Sequence, residues 1–198
     1  MIKCNANNLE ELVDVLKNNG VISVPTDTVY GLCTPINSKI GYEKLINLKQ
    51  RPKNKLFPIM CSDIEQVKSI CVIDKREEKL IKHFMPGPIT LILKKKPDYK
   101  YIDYQTIAIR LATSSEIKRL IKLVGCPLYM TSANISNELP CTSIKQIVET
   151  FSNLDGILEG STNYDIASTI IDCTKEDIKI LREGPISKEE IDTILKKV

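Results

Sequence analysis

Hydroxyl, amide and guanidinium side chains sit at the ends of apolar runs at five places in this chain: Thr26-Asp27-Thr28, Arg110, Ser132-Ala133-Asn134, Ser168-Thr169 and Arg182. A further run, Lys49-Gln50-Arg51-Pro52-Lys53-Asn54-Lys55, places four cations within seven residues. The apolar runs read as strands, and an α/β sheet gathers its strand ends at a shared edge where anions bind. Brought together, these side chains make a site rich in donors and cations and poor in carboxylates, suited to a polyanion. Capping and turn formation explain any one segment alone. A helix that ends in Lys and Arg also satisfies its own carbonyls and dipole. Local roles account less well for all five together with the scarcity of arginine. Of 28 basic residues only Arg51, Arg76, Arg110, Arg119 and Arg182 are Arg, and the planar guanidinium fork suits phosphate and carboxylate.

Several familiar chemistries are excluded. No Gly-x-x-x-x-Gly-Lys-Ser/Thr loop and no Gly-x-Gly-x-x-Gly occur. Without a Gly-x-Ser-x-Gly elbow, Ser132 is not a hydrolase nucleophile. The single histidine, His83, lies between Lys82 and Phe84 on a predicted helix and reads as a surface or packing residue. Seven cysteines, with no Cys-x-x-Cys, fit a reducing cytoplasm and no structural disulfides. No apolar stretch approaches the ~20 residues that span a bilayer, and Met1-Ile2-Lys3-Cys4-Asn5 lacks an apolar leader. The expectation is a cytoplasmic protein with no membrane association.

The elements that must position these residues follow from periodicity and capping signals. Asn7-Asn8 caps a helix with an apolar face of Leu9, Leu12, Val13 and Leu16, closed by Gly20. A strand at 21–25 runs into the polar turn at Thr26. Ser38 caps a helix that delivers Lys49 and Arg51 at its end, and a buried strand follows at 57–61. Ser62-Asp63-Ile64-Glu65 reads as a capping box for a helix to Ile70. A helix from Asp74 to Met85 precedes Pro86-Gly87-Pro88, a strand at 89–93 and a charged turn, Lys94-Lys95-Lys96. Next come a strand at 106–111, a helix from Ser114 to Gly125, a strand at 127–130 and a helix capped by Ser143 with Gln146. Three late strands, near 156–158, 168–173 and 178–181, precede a helix opened by Ser187 with Glu190. With 198 residues, 42% hydrophobic, and no linker or composition break, the chain reads as one α/β domain over 1–198. Closely spaced late strands argue an open, twisted, mixed sheet. The net charge of +3 is too mild for a general nucleic-acid surface.

In order along the chain stand Pro25-Thr26-Asp27-Thr28-Val29-Tyr30-Gly31-Leu32, Lys49-x-Arg51-Pro52, Pro86-Gly87-Pro88-x-Thr90, Arg110, Thr131-Ser132-Ala133-Asn134-x-Ser136, Ser168-Thr169 and Leu181-Arg182-x-Gly184. This ordered set resembles the YrdC-like threonylcarbamoyl-AMP synthase family, in its short single-domain form, over about residues 10–188. The resemblance implies an open α/β sheet with a basic concave face. It implies an enzyme that joins ATP, L-threonine and bicarbonate or CO2 into threonylcarbamoyl-adenylate and pyrophosphate, with Mg²⁺ accompanying ATP. The product would feed threonylcarbamoylation of adenosine 37 of tRNA by partner proteins. Carried over position by position, Lys49, Arg51, Ser132 and Asn134 form a catalytic tetrad. Arg51, Lys55, Ala108, Asn134, Thr142 and Arg182 contact ATP, while Thr28, Met60, Arg110, Ser132 and Ser168 hold threonine. No side chain is a metal ligand in that scheme, and Lys53 is expected to face solvent. Cys33 and the turn Ser136-Asn137-Glu138-Leu139-Pro140 depart from the family pattern.

Two other readings remain open from the residues. One is an RNA-binding module of the same fold, gripping a backbone through 49–55, Lys94-Lys95-Lys96, Tyr99 and Tyr101. The other is the related carbamoyl-transfer module of hydrogenase-maturation proteins, which carry additional regions.

Overall fold

A computed structural model of the chain describes residues 1–52, 55–162 and 167–196. Its elements, in order, are β1 (Ile2–Cys4), α1 (Glu10–Lys17), β2 (Ile22–Pro25), β3 (Tyr30–Pro35), α2 (Lys39–Lys49), β4 (Ile59–Cys61), α3 (Ile64–Ile70), β5 (Cys71–Val72) and α4 (Lys75–Phe84). Then follow β6 (Ile89–Lys95), β7 (Thr106–Leu111), α5 (Ser115–Val124), β8 (Leu128–Ser132), α6 (Ile144–Thr150), β9 (Gly156–Leu158), β10 (Thr169–Asp172), β11 (Lys179–Arg182) and α7 (Lys188–Lys196). The strands form one mixed sheet in the order β1-β9-β2-β3-β8-β4-β7-β6-β10-β11, with β5 paired to β6. β1/β9, β9/β2, β4/β7 and β6/β10 run parallel. β2/β3, β3/β8, β8/β4, β7/β6 and β10/β11 run antiparallel.

The period of two along each strand divides the core. Leu32, Ile59, Ile107, Ile109, Leu91 and Ile171 face one cluster, which takes in Leu45 of α2, Val67 of α3, Leu80 of α4, Ile147 of α6 and Ile191 of α7. Cys33, Met60, Ala112, Leu128 and Met130 face the other, covered by Leu9, Leu12 and Leu16 of and beside α1 and by Ile117, Leu120 and Ile121 of α5. These two helices cover only part of their face. Beyond them, the same face of β7, β6 and β10 carries Ala108, Arg110, Thr90, Ile92 and Ile170, which line a cleft.

Local chemistry explains most element ends. Ser38, Ser114 and Ser143 cap their helices through the side-chain oxygen, and Ser143 with Gln146 closes a capping box. Gly125, at φ 87°, ends α5 in the left-handed conformation. Five expectations are corrected. Leu9, not Asn8, is the first residue of α1's cap, and the left-handed residue after α1 is Asn19 (φ 63°), not Gly20. Asp63, not Ser62, caps α3, accepting from the Gln66 amide. The buried strand at 57–61 shortens to Ile59–Cys61. Lys94 and Lys95 belong to β6 rather than to a turn, because that strand is held on by Cys71 and Val72 on one side and Thr106 on the other. All seven cysteines are free, and among the described residues no helix is long and apolar enough to cross a membrane.

Candidate active site

The cleft has a volume of about 290 Å³ and opens where strand ends meet helix ends. Its wall includes seven of the sequence-predicted residues: Thr28, Arg51, Ala108, Arg110, Ser132, Ser168 and Arg182. Gly31 of β3 forms floor beside Ser132, its register partner on β8. A Cβ there would stand 2.6 Å from the Met130 sulfur, so the absent side chain keeps the floor low. A larger groove of about 390 Å³ lies between the starts of α3 and α5, but it holds none of these residues.

Each guanidinium in the cleft is fixed differently. Arg51 follows Gln50, whose left-handed backbone (φ 49°) ends α2. Its Nε donates to the Lys55 carbonyl at 2.9 Å and its Nη2 to the Leu56 carbonyl at 2.8 Å, while the group stacks 4.9 Å over the Phe57 ring. Arg110 donates through Nη2 to Asp27 Oδ1 at 2.7 Å and to the Gly87 carbonyl at 3.1 Å. Arg110 Nε and Asp27 Oδ2, both buried, have no partner among the described residues. They are the unmade half of a carboxylate fork. Arg182 donates to the Ser168 carbonyl from Nε and Nη2, at 2.9 and 2.8 Å. Burial pulls the Arg51 and Arg182 guanidiniums down from their ordinary values, and Arg110 adds to the effect on Arg182; both remain cations at neutral pH.

The hydroxyls are equally ordered. Thr28 Oγ1 lies 3.1 Å from Thr26 Oγ1, which donates to the Val29 carbonyl and folds the turn. Ser168 Oγ lies 2.8 Å from Thr90 Oγ1. Ser132 Oγ donates to Asn134 Oδ1 at 2.6 Å. Gly184 makes the approach of β11 possible. A Cβ there would fall 2.4 Å from the Thr169 nitrogen and 2.7 Å from the Ala167 carbonyl oxygen.

Lys49 and Asn134 stand behind the wall rather than in it. Lys49 is 1% exposed, and its Nζ donates to the Ser132 carbonyl at 2.6 Å, the Asn134 carbonyl at 2.9 Å and Asn134 Oδ1 at 3.1 Å. Burial, aided by nearby Arg51, lowers its pKa to about 8. Three more predicted residues are not brought into the wall. Met60 is fully buried in the apolar layer under α1 and α5, because its neighbours on that face, Leu128 and Met130, are themselves apolar. Lys55 is exposed and engages Arg51 through its carbonyl alone. Thr142 is exposed and bonded to Gln146 at the start of α6. Lys53 lies outside the described residues. Sequence reasoning passed over Asp27 as a site residue. Its position between two threonines after a strand was the available signal.

Residues 14–184 match the family model for Sua5, YciO and YrdC proteins, described as telomere recombination. The chain belongs to the Sua5/YciO/YrdC family. Family relatives include the threonylcarbamoyl-AMP synthase of Buchnera aphidicola, 34% identical over 152 residues that cover 74% of this chain and 87% of that protein. The threonylcarbamoyl-AMP synthase of Bacillus subtilis is 30% identical over 188 residues, 91% of this chain and 54% of that one. Among solved Sua5/YciO/YrdC structures, Pyrococcus abyssi Sua5 complexed with L-threonine superposes with a TM-score of 0.89 at 26% identity. That superposition takes in 100% of this chain and 61% of the P. abyssi chain. The chain thus spans less than two thirds of that relative.

Proposed function

We propose that this protein is a threonylcarbamoyl-AMP synthase, a nucleotidyltransferase acting on ATP, L-threonine and bicarbonate or CO2. The observation that carries the reading is the cleft itself. Three guanidiniums converge there with the hydroxyls of Thr28, Ser132 and Ser168, and no Cys, His or free carboxylate stands in the described wall to serve as nucleophile or base. A reaction whose nucleophile is made from substrate needs such a site. The threonine amine forms an N–C bond to CO2 and loses a proton, giving a carbamate. A carbamate oxygen then bonds to the α-phosphorus of ATP as the bond to the β-phosphate bridging oxygen breaks, and pyrophosphate departs with the electron pair.

In this scheme Arg51 and Arg182 orient the phosphates and neutralise the charge that moves onto the leaving group. Arg110, Thr28, Ser132 and Ser168 hold the amino acid, and Ala108 presents a small side chain and strand backbone to the nucleotide. Asp27 is committed to Arg110, and among the described residues no group of three or more His, Cys, Asp and Glu gathers. Such a donor set suits a Mg²⁺ ion that enters on the phosphates and neutralises their charge there. The product would pass to tRNA through transfer proteins in the cytoplasm. The RNA-binding alternative draws less support: Lys95 donates to the Tyr99 carbonyl, and Lys94 and Lys95 sit at the opposite end of β6 from Thr90.

Mass spectrometry of a reaction with ATP, Mg²⁺, ¹³C-bicarbonate and threonine tests the proposal. An adenylate carrying both threonine and the ¹³C label is expected. RNA binding with no such adduct would overturn it.

A further inference from the structure

Two hydrogen bonds do not by themselves fix a guanidinium. The Nε–H of Arg51 and the adjacent N–H of Nη2 lie on one edge of the planar group, and both are spent there, on the Lys55 and Leu56 carbonyls. Two bonds along one edge act as a hinge about which the plane can still swing. The face of the group meets the missing constraint. Arg51 Cζ lies 4.9 Å from the centroid of the Phe57 ring, whose electron-rich face attracts the cation. What remains is the far edge of the guanidinium, where both N–H groups of Nη1 and one of Nη2 are unspent among the described residues. Arg51 and Phe57 both line the cleft.

The ring is itself held from α2 and β8. Tyr42 of α2 meets it edge-on, with centroids 5.4 Å apart and planes at 76°. Tyr129 of β8 lies 6.5 Å from Phe57 and 4.8 Å from Tyr42, which closes an aromatic triangle. Pro58 keeps the Phe57 backbone extended, and the Pro58 carbonyl accepts from the Met130 amide at 2.8 Å. Phe57 is buried in consequence.

We infer that Phe57 is a positioning residue: its ring face, braced by Tyr42 and Tyr129, stops the Arg51 hinge and aims the free edge of the guanidinium at a substrate oxyanion in the cleft. A leucine there would keep the position apolar without supplying a ring face. That the oxyanion is a phosphate of ATP rests on the synthase reading; the aromatic platform does not.

Two measurements test this. In ligand-free protein the five arginines give separable ¹⁵Nε–H signals, that of Arg51 being assigned by its loss in Arg51→Lys. Phe57→Leu speeds exchange of that Nε–H with water by about threefold to thirtyfold, the range that loss of a cation–π contact implies. Mono-, di- and trifluorinated phenylalanines in place of Phe57 keep the ring's shape but drain its face, and they speed exchange step by step toward the leucine value. Near-UV circular dichroism checks that each protein is folded, and the fluorinated series carries the test should Phe57→Leu not fold. Exchange that stays flat across that series would reduce Phe57 to apolar filling and overturn the platform. In pyrophosphate release with ATP, Mg²⁺, threonine and bicarbonate, the same series lowers kcat by up to about thirtyfold and leaves KM for threonine within about twofold. An unchanged kcat beside faster exchange would overturn the positioning role. A wild type that releases no pyrophosphate would count against the synthase reading, while exchange still decides the platform.

Discussion

Arg182 grips Ser168 from 14 positions away, with Nε and Nη2 both on the Ser168 carbonyl and Nη2 also 3.2 Å from its hydroxyl. The start of β10 is thereby held from β11, and the Ser168 hydroxyl is kept against Thr90. Arg182→Ala should release both, lowering kcat/KM for threonine and for ATP by roughly tenfold to a hundredfold, as loss of a charge-assisted contact or two implies. Arg182→Lys should recover little of this, because an ammonium cannot span the carbonyl as a fork does. Steady-state kinetics with each substrate varied would check it; recovery by Lys would contradict it.

Arg51 closes its own loop through the Lys55 and Leu56 carbonyls and still lines the cleft. In the proposed reaction Arg51→Ala should cut turnover by about 10²–10³-fold, the range seen for removing one preorganised donor. The urea midpoint should shift little, since the guanidinium is half-buried at the rim. Near-normal turnover in a folded Arg51→Ala protein would remove Arg51 from the chemistry.

Burial holds Lys49 near a pKa of about 8, against about 10.4 for an ordinary lysine. Between these values the unfolded chain binds the proton and the folded one does not, so this group makes stability rise with pH across that window. Below about 8 the full cost of a buried ammonium is present. Above it the neutral amine has two N–H groups for three acceptors, so the loop at Ser132 loosens and turnover falls on the alkaline side. Carbon-detected NMR of the lysine Cε resonances should show one midpoint near 8, absent in Lys49→Gln. A Lys49 that titrates with the other lysines would contradict the prediction.

Gly184 lets β11 lie against Ser168 and Thr169. Gly184→Ala places a methyl 2.4 Å from backbone nitrogen, and backbone cannot yield as a flexible side chain does. The expected cost is about 1–3 kcal/mol by urea unfolding, with a larger proportional loss of activity than of stability. A variant as stable and active as wild type would refute the close packing.

The features legible in the sequence were those with local causes. Ser38, Asp74, Ser114 and Ser143 announce their helices because a cap is a short-range bond. Thr26, Arg110, Ser132, Ser168 and Arg182 stood out because polar residues ending apolar runs meet at one sheet edge. What was not legible depends on distant partners. β1 is three residues long and exists through parallel pairing with β9, more than 150 residues later. Lys94 and Lys95 extend β6 because β5 and β7 flank it. The positions of Met60, Lys55 and Thr142 relative to the cleft depend on which side of a strand or loop each side chain leaves from. Composition does not encode that. The direction of the Lys49 ammonium, into the Ser132–Asn134 loop rather than toward the cleft, also follows only from tertiary contacts.

The proposed adenylate transfer draws its nucleophile from threonine and CO2 together. Pyrophosphate release from ATP and Mg²⁺ is therefore to be measured with threonine and bicarbonate supplied together, singly, or not at all. Release is expected only when both are present, and is expected to be lost in Arg51→Ala. Release that is indifferent to threonine, or that persists when bicarbonate and CO2 are rigorously removed, would contradict it.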